Sequence, residues 1–311
     1  MKTANTVLCI VGPTASGKTS LSVAAAKRFN GEIVSADAVS VYRGLDIGSA
    51  KPTISERQGI THHLIDCVEI TDPNFSVSVF RDLARSAINQ IISCSKLPIV
   101  VGGSGLYADA IFSDMGFSAP SDPVVRAALE TEYDRDQNAV FARLSQSDPV
   151  TAKRLHPNDK KRIVRALEVA AITGKPFSEL NREFMQAQQN DGTYRVVKIG
   201  LLIPRETLYL RIDLRVDQMI RDGLLKEAND LFDRGLTPDR YTAMHSIGYT
   251  QLYDAYCRRC STEEAIAAIK LATRHFAKRQ MTWFKRDENT VWLNPCALTV
   301  DEILDRIEEF L

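Results

Sequence analysis

Eight consecutive residues near the start of the chain form a motif that binds phosphate groups. Residues 12–19 read GPTASGKT and match G-x4-G-K-[S/T], between an apolar run and a helical pattern. The glycines let successive N–H groups point into one concavity, and the following helix adds the positive end of its dipole. We expect Lys18 to reach the terminal phosphates and the Thr19 hydroxyl to hold Mg²⁺. The predicted di- or triphosphate site comprises Gly12, Pro13, Thr14, Ala15, Ser16, Gly17, Lys18 and Thr19.

Two more loops place polar groups after short apolar runs. Asp37 follows the run EIVS at 32–35, and Ser104 lies in the loop GGSG at 102–105, after LPIVV. Asp37 is a candidate general base or Mg²⁺ ligand, but a turn or cap residue is the structural alternative. The GGSG loop is equally compatible with a ligand contact and with an ordinary strand–helix turn.

The elements that must position these loops alternate along the first hundred residues. Strands are predicted at 6–11, 32–35, 63–68 and 97–101, and helices at 20–29 and 79–92. Such alternation predicts an α/β fold, a P-loop NTPase-like, mostly parallel sheet flanked by helices. In an open sheet of this kind ligands bind at the carboxyl ends of the strands, where the three loops belong.

An all-helical insertion is predicted within the α/β core. Turn formers at 118–123 are followed by helical patterns alone as far as residue 189, and strand character returns at 194–203 and 290–293. We therefore predict core segments at 1–117 and 193–311, with a helical insertion at 118–192 and with a basic helix and a C-terminal helix in the second core segment. The predicted helices of the insertion cover 124–133, 139–145, 150–155, 160–172 and 178–188.

The overall composition is that of a globular protein. The 311 residues contain 39 Lys and Arg against 39 Asp and Glu, and 44% are hydrophobic, which excludes a mainly disordered chain and a uniformly basic nucleic-acid coat. No run is long enough for a signal peptide or a membrane span. Six cysteines without framework spacing suit a reducing compartment, so a cytoplasmic location is expected. The lone CxxC at 257–260 has no second pair for zinc.

Two local clusters interrupt the neutral average. Residues 153–165 and 270–286 are rich in Lys and Arg, and the second cluster has interleaved aromatic residues. Lys270, Arg274 and Lys278 would share one stripe of a helix. Each cluster alone is compatible with a solvated helix face, but together with a phosphate loop they favour a polyphosphate or RNA partner. A hydrogen-bonded structural pair is favoured over catalysis for His62 and His63.

Taken together and in this order, the motifs resemble the tRNA dimethylallyltransferases, also called isopentenyl-tRNA transferases. The resemblance covers nearly the whole chain. It rests on the segments GPTASGKTS (12–20), DAVSVYRGLDIGSAKP (37–52), HHLID (62–66), VGGSGLY (101–107), LHPNDKKRIVRALE (155–168), TGKP (173–176), LRIDLRVDQMIRDGLLKEA (210–228), SIGY (246–249) and TRHFAKRQMTWFKR (273–286).

This resemblance implies an enzyme that moves a dimethylallyl group from its diphosphate to N6 of adenosine 37 of tRNA, in tRNAs that read codons starting with U. It implies that residues 12–19 hold dimethylallyl diphosphate, that Asp37, Ser104 and Lys18 are catalytic, and that Mg²⁺ is the cofactor. A monomeric state and an anticodon stem-loop partner are expected from the same likeness. Implied tRNA contacts are Asp37, Ala38, Val39, Ser40, Ser104, Arg126, Lys161, Arg162, Ile163, Val164, Arg165, Lys278, Arg279 and Gln280.

The sequence departs from the family pattern at a few positions. Ala38 and Ser40 replace a serine and a glutamine, Ser104 replaces a threonine, and Val79 replaces an aspartate. We interpret these as changes in affinity or anticodon-loop preference. Three other functions stay open at this point: an adenylate isopentenyltransferase that acts on free AMP, ADP or ATP, a small-molecule kinase, and a non-catalytic P-loop RNA-binding module.

Overall fold

A computed structural model describes residues 5–112, 122–187 and 194–311 of the chain. It divides into two compact units: Met1–Ile111 with Thr193–Leu311, and Phe112–Gly192. The boundaries predicted after residues 117 and 192 fall among residues outside the described ranges. The second unit is thus inserted between two segments of the first.

The first unit is built on a six-stranded sheet. In chain order its strands are β1 (Thr6–Val11), β2 (Gly31–Ser35), β3 (His62–His63), β4 (Leu97–Gly102), β5 (Arg195–Leu201) and β6 (Val291–Leu293). Their spatial order is β3-β2-β4-β1-β5-β6, and every pairing between these strands is parallel. The apolar run of β1 pairs on both sides, with β4 and β5, which explains why it lacks polar alternation.

Fourteen α-helices belong to the described part of the chain. In the first unit they are α1 (Lys18–Arg28), α2 (Ile54–Arg57), α3 (Val77–Ser93), α4 (Gly105–Phe112, whose last residue belongs to the second unit), α10 (Arg205–Arg221), α11 (Leu224–Asp233), α12 (Tyr249–Tyr256), α13 (Thr262–Phe284) and α14 (Val300–Glu308). A short 3-10 helix covers Thr242–His245. In the second unit they are α5 (Pro123–Arg135), α6 (Gln137–Ser147), α7 (Pro149–Ala152), α8 (Lys160–Thr173) and α9 (Phe177–Ala187).

Two apolar clusters fix the first unit. One joins β1, β4 and β5 to α1 and α14, with Leu8, Ile10 and Ile307 fully buried. The other joins the loop after β2 to α10, α11, α12 and α13, around Tyr249 and Leu45. The second unit has its own core, in which Val140 and Ile163 are completely buried. Each unit therefore buries enough apolar surface to be a folded body.

The predicted α/β architecture is confirmed, with some differences of detail. The strand predicted at 63–68 is limited to His62–His63, because Leu64 and Asp66 adopt positive φ angles of 61° and 55°, which end an extended strand. Two helices were not predicted, α2 and α4, whereas α14 is the predicted C-terminal helix. The predicted helix at 150–155 ends at Ala152, and residue 188 of the predicted helix 178–188 lies outside the described ranges.

Candidate active site

A cleft of about 460 Å³ opens at the carboxyl ends of β1, β2 and β4. The loops that follow these three strands contribute Lys18, Thr19, Asp37 and Ser104 to its lining. Helices α10 and α13 close other parts of the wall with Arg215 and Gln280. All of these residues belong to the first unit. The structure thus brings the predicted diphosphate site and the predicted proton acceptor to one cavity.

The phosphate loop joins β1 directly to α1. Gly17 caps the start of α1 with a φ of 90°, a left-handed conformation that favours glycine. Lys18 Nζ donates a 2.6 Å hydrogen bond to the Pro13 carbonyl, and its ammonium has no ion pair within the described residues. Burial, with a further contribution from the Arg215 guanidinium, lowers the pKa of Lys18 to about 7, although Asp37 acts in the opposite direction. A bound anion would supply the countercharge that the protein does not.

Arg215 is a second cation of the cleft, and the residue-by-residue analysis of the sequence missed it. From α10 its guanidinium reaches the Thr14 hydroxyl at 3.5 Å and the Ala50 carbonyl at 3.4 Å. No carboxylate among the described residues pairs with it, and burial lowers its pKa. One signal could have found it: Arg215 lies among Ile212, Val216 and Met219, the apolar stripe of an amphipathic helix, where an unpaired arginine is unusual.

Asp37 closes the turn after β2 and also lines the cleft. Its Oδ1 accepts hydrogen bonds from the Val39 and Ser40 amides, at 2.8 and 3.0 Å, and so closes the turn after β2. Its Oδ2 accepts no hydrogen bond from the described part of the chain. The turn therefore holds the carboxylate in the cleft with one oxygen available to a substrate.

Ser104 connects the third loop to Asp37. Its Oγ accepts a 3.1 Å hydrogen bond from the Ala38 amide, next to the carboxylate. Ser40 is only 3% exposed and its hydroxyl pairs with Ser35 Oγ at 3.1 Å, so its implied tRNA contact stays a prediction. Ala38 and Val39 are half-buried and line the cleft.

The basic cluster on α13 separates into two halves with different partners. Lys270 pairs with Asp217 at 2.5 Å, and Arg274 pairs with Asp213, so these two cations attach α13 to α10. Lys278 and Arg279 are exposed and have no ion pair within the residues described, and Arg279 lines the cleft. All three cations of the predicted stripe lie on α13, but two of them are paired with α10. Only the carboxyl-terminal part of the stripe is available to a polyanion.

Gln280 differs from the exposed pair that precedes it. It is 5% exposed, and both ends of its amide are hydrogen-bonded to backbone groups of the cleft loops, Thr14 N–H and Gly103 C=O. The implied tRNA contact of Gln280 stays a prediction, whereas its side-chain amide is already bonded to the two loops. Within the site, Gln280 connects the phosphate loop to the loop after β4.

In the second unit, the implied tRNA contacts also divide into surface and interior. Ile163 and Val164 are 0% and 2% exposed, so their side chains pack in the core of that unit and the implied tRNA contact of these two positions stays a prediction. Arg126 and Arg165 both pair with the buried carboxylate of Glu168, at 2.7 and 2.8 Å. Exposed Arg162 pairs with Asp159, and Lys161 forms no ion pair with any residue that the structure describes.

The other motifs have structural partners. His63 Nε2 lies 2.7 Å from a carboxylate oxygen of Glu32, which also binds Lys96, and His62 Nδ1 lies 2.9 Å from the Ile60 carbonyl. Of the CxxC motif, Cys257 is exposed and Cys260 is half-buried, both as free thiols. Among the described residues no group of three or more His, Cys, Asp or Glu is arranged to hold a metal ion.

Comparison with known proteins shows what this cleft is similar to. The family model described as IPP transferase matches residues 40–287, well over half of the chain. The chain belongs to the IPP transferase family. A relative from Geobacillus kaustophilus, named tRNA dimethylallyltransferase, is 45% identical over 293 residues, which cover 94% of this chain and 91% of the relative.

Solved structures of IPP transferase relatives agree in fold. The full-length tRNA isopentenylpyrophosphate transferase from Bacillus halodurans is 39% identical, with a TM-score of 0.72, and the match covers 98% of this chain and 95% of that one. A eukaryotic dimethylallyltransferase acting on tRNA is 28% identical, with a TM-score of 0.75 over 93% of this chain and 73% of that one. Among the described residues no helix is long and apolar enough to cross a membrane.

Proposed function

We propose that this chain transfers the dimethylallyl group of dimethylallyl diphosphate to N6 of adenosine 37, 3′ of the anticodon, in tRNAs that read codons starting with U. One observation carries the proposal: Lys18 and Arg215, without carboxylate partners among the described residues, share a cleft with the Asp37 carboxylate. The names of the relatives support tRNA, rather than free AMP, ADP or ATP, as the acceptor.

The first requirement of this reaction is to stabilise the diphosphate leaving group. When the bond between the allylic carbon and oxygen breaks, its electron pair and the negative charge stay on the diphosphate. Lys18 and Arg215 line the cleft beside the phosphate loop. Together with N–H groups of that loop, other than those of Pro13, which has none, and Thr14, which binds Gln280, they are the donors that would stabilise this charge, and fixed donors of this kind need no reorganisation during the reaction.

The second requirement is to remove a proton from a weak nucleophile. The lone pair of the adenine amino group is delocalised into the ring, so N6 becomes nucleophilic only as its proton leaves. N6 forms the new bond to the allylic carbon, and the proton passes to Asp37 Oδ2. A positioned base of this kind contributes a rate factor of about 10²–10⁴.

The third requirement is access to the base, which in tRNA is stacked. Extrusion of a nucleotide costs a few kcal/mol, which contacts to the surrounding RNA must offset. Lys278 and Arg279 on α13, and Lys161 in the second unit, are exposed cations suited to the phosphates of an anticodon stem-loop.

The donor set of the cleft fits Mg²⁺. Thr19 and Asp37 offer oxygen ligands in one cavity, and Ser16 Oγ is buried in the phosphate loop with no hydrogen-bond partner among the described residues. Few protein ligands are typical of Mg²⁺ that is held largely by substrate phosphates. When bound, the ion would neutralise diphosphate charge, and Thr19 is the residue expected to hold it.

Mass spectrometry of nucleosides tests the proposal. Unmodified tRNA and AMP are each incubated with dimethylallyl diphosphate and Mg²⁺. The products are converted to nucleosides, and the masses of the nucleosides are measured. We expect dimethylallyladenosine from tRNA alone. Transfer to AMP alone would instead identify an adenylate isopentenyltransferase. In a separate assay without a prenyl donor, transfer of the γ-phosphoryl group of ATP to a small molecule, with release of ADP, would identify a kinase.

Asp37→Asn isolates the proton acceptor. The amide oxygen of asparagine can still close the turn after β2, but it cannot take the proton, so we expect turnover to fall by about 10²–10⁴. Binding of tRNA should stay within several-fold. Asp72→Asn is the matched control, because Asp72 also accepts a backbone hydrogen bond in a turn, from Asn74 at 2.8 Å, and lies outside the cleft. Near-normal turnover of Asp37→Asn would reject Asp37 as the base.

We also propose that the chain acts in the cytoplasm and as a monomer.

A further inference from the structure

The side chain of Gln280 lies between two loops of the cleft that have separate tasks. Its Oε1 accepts a 2.9 Å hydrogen bond from the Thr14 amide in the phosphate loop. Its Nε2 donates a 2.8 Å hydrogen bond to the Gly103 carbonyl in the loop after β4. One amide side chain thus joins two backbone segments through both of its polar ends.

The packing around this bridge leaves no spare room. A Cβ atom added to Gly103 would lie 2.3 Å from Gln280 Nε2, so only glycine permits this approach. One turn earlier on α13, Ala277 is fully buried in an apolar cluster that includes Ala15 of the phosphate loop. The bridge is therefore set into a packed contact between α13 and the phosphate loop.

Helix α13 is itself fixed to the helix that carries Arg215. Two ion pairs, Lys270 with Asp217 and Arg274 with Asp213, join α13 to α10. Arg215 of α10 reaches the hydroxyl of Thr14, the same residue whose amide binds Gln280. Contacts that lead to α13 thus hold in position the cations and the loop that would bind a diphosphate.

From Gly103 the connection continues to the proton acceptor. The neighbouring Ser104 accepts the Ala38 amide, and the Val39 amide that follows binds Asp37 Oδ1. A continuous path of hydrogen bonds and short backbone segments therefore leads from the phosphate loop, through Gln280, to the Asp37 carboxylate.

We propose that Gln280 is a positioning residue that sets the distance between the diphosphate of the donor and the carboxylate that accepts the proton. This inference rests on the proposed function and adds a residue to which the sequence assigned a different role. Gln280 touches neither reacting atom; it acts through Thr14 and Gly103. Glutamine suits the task because it combines a donor and an acceptor at the end of one uncharged side chain.

Loss of the bridge should slow the chemical step and leave binding almost unchanged. Each substrate would still bind to its own loop, but the distance between the two loops would no longer be fixed. Misplacement of reacting groups by about 1 Å costs roughly 10²-fold in rate. We expect Gln280→Met, which has similar length and no amide, to lower the single-turnover rate at saturating tRNA and dimethylallyl diphosphate by about 10²-fold.

The experiment measures that rate, the dissociation constants of pyrophosphate and tRNA, and the melting temperature. Gln280→Glu is the second variant, because it keeps the acceptor for Thr14 N–H and loses the donor to Gly103; it carries the test should Gln280→Met not fold. Gln218→Met is the control, since Gln218 is exposed on α10. Among the described residues its side chain binds Arg221, the last residue of that helix, and Asp222, which follows it. The rates are normalised to the active fraction, so simple loss of folded enzyme does not lower them.

A rate at saturation that falls in both Gln280 variants, with both dissociation constants within a few-fold of the wild type, supports the positioning role. An unchanged rate at saturation overturns it. A weakened tRNA affinity alone also overturns it, because that is the result expected of a direct RNA contact. A wild-type chain that modifies no tRNA would overturn the proposed function as well, whereas with an active wild type these outcomes concern the role of Gln280 alone.

Discussion

The cleft and the interior of the second unit both contain charged groups away from water, but they treat those charges in opposite ways. In the second unit, the fully buried Glu168 carboxylate binds Arg126, Arg165 and the amide of Asp122. Burial alone would raise the pKa of Glu168, but these hydrogen bonds outweigh it and the pKa lies below its usual range. Every charge in this network has a partner.

In the cleft, by contrast, Lys18 and Arg215 have no carboxylate partner within the described ranges, and the pKa of each is lowered by burial. Lys198 shows that this is not a general property of buried lysines. Burial would lower its pKa too, but Cys9, Asp109 and Asp287 together overcome that effect and its pKa is raised. The comparison teaches that paired charges maintain the fold, whereas unpaired cations mark the place of an absent anion.

Removal of the carboxylate from the paired network should have the largest effect. Glu168→Ala leaves two arginines and one amide without their acceptor, and breaking a buried ion pair costs about 3–5 kcal/mol. Because both arginine side chains partly reach water, we expect a loss at the lower end of this range. The free energy of opening of α8 and α5 should decrease by about 3 kcal/mol. Hydrogen exchange followed by mass spectrometry measures that opening helix by helix.

Glu130→Ala is the matched control for that measurement, since Glu130 is exposed on α5. It should leave the exchange of α5 and α8 unchanged. Protection of α8 that survives the loss of Glu168 would show that the network does not stabilise the unit, and the contrast with the cleft would fail.

Removal of one unpaired cation should have a smaller effect, and on activity instead of stability. Arg215→Ala is expected to lower kcat/KM for dimethylallyl diphosphate by about 10²-fold, the usual loss when one charge-stabilising donor is deleted. The melting temperature should not fall, because the guanidinium has only two long contacts within the described ranges, at 3.5 and 3.4 Å. Steady-state kinetics and a thermal melt check both statements.

Arg211→Ala provides the control for this variant, from the preceding turn of the same helix. Arg211 has one long contact, 3.7 Å to Cys296 Sγ, and does not line the cleft. If Arg215→Ala instead lowered stability and left kcat/KM unchanged, Arg215 would belong with Arg126 as a structural cation.

The sequence allowed the sheet and the phosphate loop to be predicted because both depend on local patterns. The apolar run of β1 and the motif at 12–19 sit next to each other in the chain, and the strand bounds 6–11 were correct. The predicted C-terminal helix is confirmed as α14, and the capping box of Thr299 and Glu302 is the local signal that fixes its start. The strand at 63–68 was wrong because the backbone conformations of Leu64 and Asp66 leave no trace in hydrophobic periodicity.

Residue roles in the site were harder to predict, because they depend on partners distant in sequence. Lys270 and Arg274 look identical in kind to Lys278 until Asp217 and Asp213 are found opposite two of them. Gln280 reads as one more polar residue of a basic helix, yet its partners are 266 and 177 positions away. Composition shows which charges are present; only the fold shows which of them remain unpaired.

The protonation of Lys18 gives the smallest expected effect. Its pKa of about 7 means that the ammonium form dominates below pH 7 and the neutral amine above it. Only the ammonium attracts a diphosphate, so affinity should fall as the pH rises, and at pH 8, where roughly a tenth of the side chain is protonated, it should be about tenfold weaker than in the fully protonated state. Calorimetric titration with pyrophosphate between pH 6.5 and 8.5 measures this change.

Lys18→Ala should bind pyrophosphate more weakly at every pH, with the part of the pH dependence due to Lys18 removed. Lys198→Ala should retain the wild-type dependence, because the paired Lys198 does not titrate in this range. An identical pH profile for wild type and Lys18→Ala would mean that Lys18 is already charged without the anion, and the distinction between the paired and unpaired lysines would not hold.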